Sequence, residues 1–556
     1  MSTIQGIGVS PGLAIAPAVV VAPAVGVDPA EPKTIDPVAA SAQVRQALDQ
    51  VASALRGRAA HAPGAAQAVL EAGAMMAEDP GLADGVEAHL AQGQGLTLAV
   101  HEAIEEYAVM FESLGGYLAE RVTDLRDVRD RVIARLRGLP EPGLPELTEP
   151  SVLVARDLAP AETALLDPER CVGLVTTAGG PTSHSAILAA QLGIPAVVQA
   201  VGLHLTSGVT VAVDGGSGVV TVDPTPAARE ELSAQAARRR AALTSSQALG
   251  ATKDGVAIPL LANIGTVADA RAAAAQAVEG VGLFRTEFLF LGRAAVPSLE
   301  EQTATYVEVF QAFAGRRIVV RTLDAGADKP LKFADLGPED NPALGRRGLR
   351  LSRLREDLLD TQLEALAAAR RATGADVRVM APMVAHQPEA DWFAAKVRAA
   401  GLPRAGVMIE IPAAALRAEQ LLTNLDFASL GTNDLQQYTM AADRLQGGLA
   451  DLLNPWEPAV LDIVAAACDG AGRAGKPIGL CGEAAGDPAL ALVLVGLGVT
   501  SLSLAPVKAP AVRTALQAHS LADCQRLAAA ARRAATWAEA KAAVRAAAAP
   551  VLRDLS

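Results

Sequence analysis

The sequence predicts a multidomain α/β protein: an α/β domain interrupted by a helical bundle, followed by a (β/α)8 barrel. Three observations carry this. The 556 residues exceed what a single core organises. Strand-like apolar runs near the start give way at about residue 36 to continuous helical spacing and return only after Pro150. Beyond residue 250, eight apolar strand candidates alternate with helical segments over roughly 300 residues, the repeat of a (β/α)8 barrel, with an open doubly wound sheet as the alternative.

In chain order, Ile4 to about Ala22 is strand-like, with a Ser-Pro-Gly turn at Ser10 to Gly12 and a strand at Ala18–Val21. The apolar stretch Gly12–Val27 contains Pro17 and Pro23 and lacks a preceding basic region, so it reads as neither signal peptide nor membrane span. From Asp36 to Arg137, apolar residues recur at helical spacing, as in Val44-Leu48-Val51-Leu55 and Leu118-Val122-Leu125-Val128-Val132. Ala62-Pro63-Gly64, Asp79-Pro80-Gly81 and Gly115-Gly116 break this block into helical hairpins, and the Pro-rich link Leu139–Pro150 closes it. Strand signals return at Val152–Ala155, Val172–Thr177, Ala196–Val198 and Val209–Val213, which makes the helical block an insertion. Pro226–Leu249 is polar, arginine-rich and helix-prone, either a tether or an ordinary peripheral helix.

The barrel strands are predicted at Val256–Ala262, Val281–Phe284, Ile318–Arg321, Val377–Ala381, Val407–Ile411, Phe427–Leu430, Pro477–Cys481 and Thr500–Leu504. The expected domains are 1–25 with 145–225 for the first α/β domain, 26–144 for the helical insertion, 226–249 for the linker and 250–556 for the barrel.

A formal charge of −13 and a pI near 5.2 exclude nucleic acid as a main partner, since a phosphate backbone needs a basic face, and suit a basic protein instead. Cys171, Cys468, Cys481 and Cys524 have neither metal-ligand spacing nor a disulfide framework, which fits a reducing cytoplasm.

Two regions carry chemistry. The apolar run Cys171–Thr177 reads as a buried strand, Gly179 and Gly180 as a turn, and Thr182 or Ser183 as a helix N-cap, which sets His184 among unpaired backbone N–H groups. A phosphate is stabilised there, and neutral imidazole is a competent phosphoryl acceptor. Taken alone, a histidine after a glycine turn is more often structural. The second region gathers polar residues at the carboxyl ends of the barrel strands: Arg285, Arg321, Asp324, Glu410, Asn433, Asp434 and Cys481. Two arginines grip phosphate or carboxylate, and the Glu410 and Asp434 oxygens suit Mg2+ completed by substrate and water. The alternatives are ion pairs of Arg285 with Glu287 and of Arg321 with Asp324, and a Cys481 that is simply a small core residue. Glu410, between Ile409 and Ile411, is costly to bury unless paired or metal-bound.

Together, Gly-Gly-Pro-Thr-Ser-His-Ser-Ala from Gly179, Gly-Leu-Phe-Arg-Thr-Glu-Phe-Leu from Gly282, Arg-Thr-Leu-Asp-Ala-Gly-Ala-Asp-Lys from Arg321, Gly-Thr-Asn-Asp-Leu-Gln-Gln-Tyr from Gly431 and Cys-Gly-Glu-Ala-Ala-Gly-Asp from Cys481 give the chain its resemblance to a family. It resembles Enzyme I of the bacterial sugar phosphotransferase system, the phosphoenolpyruvate-protein phosphotransferases among the PEP-utilising enzymes. The resemblance spans essentially the whole chain, including Tyr117–Val128 in the insertion.

It implies a swivelling phosphohistidine domain and transfer of phosphate from phosphoenolpyruvate to His184, with release of pyruvate. Delivery to a histidine of the carrier HPr follows, with Mg2+ assisting the first step. By motif position it implies Arg285, Arg321 and Arg444 as phosphoenolpyruvate ligands with Asn433 and Asp434, Arg347 as a further phosphate contact, Glu410 and Asp434 as metal ligands, and Cys481 as proton donor to the enolpyruvate methylene. It further implies HPr docking on the insertion, a hinge near Pro226–Leu249 and a homodimer through the barrel. Pro181, Ala327, Arg346 and Leu445-Gln446 depart from the family pattern without removing a reacting group. Pyruvate phosphate dikinase and phosphoenolpyruvate synthase share these motifs but need an ATP-binding domain, for which too few residues precede His184. A regulatory phosphocarrier without turnover is the remaining alternative, and retention of Cys481, Glu410 and Asp434 speaks against it.

Overall fold

The structure, a computed structural model, describes residues 2–555 apart from 22–25, 29, 61–64, 115–121, 146, 159–165, 181–182, 245–248, 292, 327–330, 332, 335–336, 338 and 445–446. Pro181, Ala327, Leu445, Gln446, the Ala62-Pro63-Gly64 and Gly115-Gly116 breaks and the residues from Tyr117 to Arg121 therefore lie outside the described residues. So does the side chain of His184. The chain divides into two compact units, Met1–Ser233 and Ala234–Ser556.

The first unit is built on an eight-stranded sheet: β1 (Ser2–Gln5), β2 (Ile7–Ser10), β3 (Leu13–Val20), β4 (Ser151–Ala155), β5 (Cys171–Thr176), β6 (Ala196–Val198), β7 (Thr210–Asp214) and β8 (Val219–Val222), in the order β1-β8-β7-β3-β4-β5-β6-β2. Strand β3 pairs in parallel with β4, joining Ala18 to Val152 and Val20 to Val154. The two strands flank the whole helical block, so that block is an insertion in space as well as in sequence. Strand β8 was not anticipated. Its Val-Val-Thr-Val run follows the turn at Gly215–Gly218 and pairs antiparallel with both β7 and β1.

The insertion comprises helices Pro37–Ala59, Ala65–Ala77, Pro80–Ala91, Leu96–Leu114 and Val122–Leu136. Asp36 caps the first, accepting from the Val38 and Ala39 N–H groups, and Asp79 caps the third with Pro80 in its first turn. Val44, Leu48, Val51 and Leu55 are buried with Val86, Leu90, Ile104, Leu125, Val128 and Val132 in one core, as their spacing requires. The tether segment is a helix over Pro226–Thr244.

The second unit closes eight parallel strands into a barrel: β9 (Leu260–Ile264), β10 (Gly280–Arg285), β11 (Arg317–Arg321), β12 (Asp376–Ala381), β13 (Ala405–Ile409), β14 (Phe427–Leu430), β15 (Ile478–Leu480) and β16 (Ser501–Leu504), with β16 pairing back on β9. Closure selects the barrel over the open sheet. Alternation decides what faces where. Ile318, Val320, Val377, Val379, Val407 and Ile409 join the core shared with the helices, whereas Leu283, Val319, Met380, Met408, Phe427 and Cys481 form a separate apolar layer inside the lumen.

Two barrel strands, β9 and β13, differ from expectation by more than one residue at their ends. Strand β9 starts at Leu260 because residues 250–258 spend their backbone in a local loop, with Thr252 N–H on Val256 O at 2.9 Å and Ile258 N–H on Gly250 O at 2.8 Å. Strand β13 stops at Ile409 because Pro412, which has no N–H, opens a helix at Pro412–Leu416. Glu410 thus lies just past the strand end.

Candidate active site

The carboxyl ends of β10, β11, β13, β14 and β15 converge on one cluster of charge. Arg321 closes β11 and is buried at 7 % exposure. Its guanidinium donates to Glu287 at 2.6 Å, pairs with Asp324 at 3.1 Å and approaches the Met408 sulfur at 3.6 Å. Burial opposes its charge, but Glu287, Asp324 and Glu410 outweigh that and hold its pKa above the ordinary arginine value. Its Nε is buried without a hydrogen-bond partner among the described residues.

Arg347, 1 % exposed, donates to Asp434 at 3.0 Å and to both Asp324 oxygens at 3.3 and 3.1 Å. Asp434 sits in the first turn of the helix Thr432–Met440, whose N-terminus faces the cluster, and its other oxygen lies 3.6 Å from Arg444. Arg444 is itself fixed by its backbone N–H on Gln437 at 2.9 Å. Asn433, one residue earlier, accepts from the Glu483 N–H at 3.3 Å.

Glu410 is 1 % exposed, and backbone anchors its carboxylate: Oε1 accepts from the Met383 N–H at 2.7 Å. Burial, then the Asp434 and Asp324 charges, push its pKa up to about 8 against the pull of Arg321 and Arg347. Gly431 is required beside it, because a Cβ there would lie 2.8 Å from Glu410 Oε2. Two hard-oxygen carboxylates that repel each other in a buried site are what a divalent cation relieves, and Mg2+ completes such a pair with water and substrate oxygens. Among the described residues no cluster of three or more His, Cys, Asp or Glu offers an all-protein cage. Glu410 and Asp434 therefore fit Mg2+ as a partial set.

Cys481 follows β15, is 2 % exposed and directs its thiol at Leu430 O at 3.5 Å. Burial pushes its pKa up, while a hydrogen bond with Ser429 and the charges of Arg321 and Arg285 act in the opposite sense. Arg285 itself makes no ion pair or side-chain hydrogen bond among the described residues, so the expected alternative of an Arg285–Glu287 pair is not what forms; Glu287 serves Arg321.

Several supporting residues were not singled out from the sequence. Glu287 also accepts from the Asp324 N–H at 3.1 Å, and Gln362 ties the same loops together through Thr286 and Tyr306, each at 3.1 Å, and the Leu323 N–H at 3.0 Å. Asn263 donates to the Cys481 carbonyl at 3.2 Å. Its signal was available: like Glu410, it is a polar side chain in an otherwise apolar strand run.

In the first unit, the helix His184–Leu192 starts at His184 with Ser183 as N-cap, its side chain accepting from the Ala186 N–H at 3.3 Å. Ser185 is fully buried and donates to Asp157 at 2.8 Å, and Gly193 ends the helix at φ 70°. The backbone of residue 184 thus belongs to a helix N-terminus, as its spacing predicts.

Three family descriptions match consecutive stretches of the chain: PEP-utilising enzyme, N-terminal, over residues 5–121; PEP-utilising enzyme, mobile domain, over 147–218; and PEP-utilising enzyme, PEP-binding domain, over 239–521. A phosphoenolpyruvate-protein phosphotransferase of Streptomyces coelicolor is 53 % identical over 507 residues, 91 % of each chain. One of Haloferax volcanii is 44 % identical over 477 residues, 83 % of each chain. A solved structure titled as Enzyme I by NMR is 34 % identical and covers 43 % of this chain and 99 % of its own, with a TM-score of 0.37.

Proposed function

The chain belongs to the PEP-utilising enzyme family, and from that premise we propose that it is a phosphoenolpyruvate-protein phosphotransferase that loads His184 and passes the phosphoryl group to a histidine of HPr. The observation that carries this reading is the meeting of Arg321, Glu410, Asp434 and Cys481 at the ends of four different barrel strands.

In the proposed first step, the bond between the phosphorus and the enol oxygen of phosphoenolpyruvate breaks as a P–N bond forms to the unprotonated imidazole of His184. Arg285 and Arg321 hold the phosphate and carboxylate, and the buried Nε of Arg321 is a donor still open to substrate. Arg444 and Asn433 border the same site, while Arg347 fixes Asp324 and Asp434 in place. Glu410 and Asp434 would hold Mg2+, which when bound supplies positive charge to the phosphoryl oxygens. The enolate left behind takes its proton at the methylene carbon from the Cys481 thiol, giving pyruvate, and the sulfur regains a proton from solvent. A buried, protonated thiol suits an acid rather than a nucleophile.

His184 and the barrel site belong to different compact units, so transfer requires the units to meet and delivery requires them to part. The helical insertion is the proposed HPr surface, its acidic Glu71, Glu78 and Asp79 suiting a basic partner, and the barrel unit the proposed site of homodimerisation. Among the described residues no helix is long and apolar enough to cross a membrane. The test is incorporation of label from phosphoenolpyruvate. His184→Ala should take up none and should fail to label purified HPr; label retained on another residue overturns the assignment.

A further inference from the structure

At the end of the barrel opposite the carboxylate cluster, beyond the apolar layer of the lumen, lies a second polar chamber. It holds a cavity of about 40 Å3. Arg317 and Arg378 line it from the amino-terminal parts of β11 and β12, on the same inward alternation that brings Val319 and Met380 into the apolar layer. Ser501 adds a hydroxyl from β16, and Gly479 gives it room, since a Cβ there would come within 2.7 Å of the Ser501 oxygen.

The lining is rich in donors and poor in free acceptors. Arg317 Nη2 and Arg378 Nε are buried with no hydrogen-bond partner among the described residues. Arg378 Nη2 is taken by Asp376 at 2.9 Å. Glu279, the other carboxylate acting on Arg317, already accepts from the Gly250 and Leu260 N–H groups at 2.8 and 3.1 Å. The nearby hydroxyls of Thr500 and Ser503 are spent on the Ile478 and Ala262 carbonyls at 2.9 and 3.1 Å. Burial and the neighbouring Arg378 charge both lower the Arg317 pKa, which marks a positive charge short of compensation.

From these contacts we propose that the amino-terminal chamber of the barrel binds a small inorganic anion of halide size between Arg317 and Arg378. Water satisfies such a lining poorly, because it must donate as well as accept, whereas an anion accepts only. The volume sets the size: one water needs roughly 10–15 Å3 of such space, so the chamber admits a halide and a water or so but no phosphate ester. The apolar layer of Leu283, Val319, Met380, Met408, Phe427 and Cys481 lies between it and the charged residues of the substrate cluster, and Ser429, which lines the chamber, reaches that layer at the Cys481 thiol, so the anion is read through the barrel's stability.

Bromide is the probe. Crystals of the full chain grown in bromide should show an anomalous peak between Arg317 and Arg378. In solution, replacing gluconate by bromide at fixed ionic strength should raise the barrel's unfolding midpoint saturably by about 2–4 °C. Arg317→Gln should lose both signals, and Gly479→Ala should lose them with both arginines intact by filling the chamber. No peak in the unaltered protein, a midpoint that climbs without saturating, or an undiminished response in Gly479→Ala overturns the proposal.

Discussion

Arg347 and Asp434 are joined by a buried hydrogen bond of 3.0 Å, and Asp434 is one of the two carboxylates that fit Mg2+. The same guanidinium spans to Asp324, so one arginine neutralises two acids that would otherwise repel each other and Glu410. Its position as a holder of carboxylates explains why the chain keeps a fully buried arginine at a strand-end site.

Removing that arginine leaves Asp324 to Arg321 and Asp434 to Arg444 at 3.6 Å, short of the charge that both carboxylates are buried with. Arg347→Met is expected to destabilise the barrel unit by about 3–5 kcal/mol, the cost of breaking a buried pair from one side. Urea unfolding followed by a barrel probe such as Trp456 fluorescence checks this. A loss under about 1 kcal/mol would show that Asp324 and Asp434 find other partners or protons.

Glu287→Gln separates positioning from folding. The amide keeps the volume and one acceptor oxygen, but the charge that orients Arg321 at 2.6 Å is lost. Phosphorylation of the enzyme by phosphoenolpyruvate should slow by about 10–100-fold, while phosphorylated protein still passes its phosphate on to HPr. Equal losses in both half-reactions would point to a general structural defect.

The metal is expected in only one half-reaction. Chelation, or Glu410→Gln, should abolish labelling from phosphoenolpyruvate and leave transfer from phosphohistidine to HPr intact. Mg2+ binding should also release protons in buffers below about pH 8, because the Glu410 carboxyl is held up to about 8 by burial and by Asp434. Calorimetry in two buffers of different ionisation enthalpy reads that release, and zero protons would remove Glu410 from the ligand set.

The barrel was legible because its signal is local and repeated: eight short apolar runs alternating with helical segments announce the strands, while closure over an open sheet came from the pairing of β16 with β9. Candidate residues were legible for a related reason, since Glu410, Arg321 and Cys481 interrupt or end apolar runs. What they bond was not. Arg321 takes Glu287 from the preceding loop and Asp324 from its own, a choice set by how two loops fold over the barrel mouth and not by spacing. Strand β8 was missed because four residues after a glycine-rich turn carry too little periodicity, and pairing makes them a strand, with β7 across the turn and with β1 from the far end of the sequence.

Cys481 provides the pH dependence. A thiol raised by burial stays protonated where an exposed one, near pH 8.5, would ionise. The rate of pyruvate formation should therefore fall, as the acid is lost, only at higher pH than an exposed thiol would impose, and Cys481→Ala should form little pyruvate at any pH while still relaying phosphate to HPr. The same sign governs stability. Burial pushes the Cys468 thiol up to about 12, so between the unfolded and folded pKa values the native barrel holds a proton that the unfolded chain has lost. Its contribution is complete below about pH 8.5 and is lost progressively as pH rises toward 12. Urea midpoints measured from pH 8 to pH 10 should fall, and fall less steeply in Cys468→Ala; an unchanged slope in that variant would place the titrating groups elsewhere.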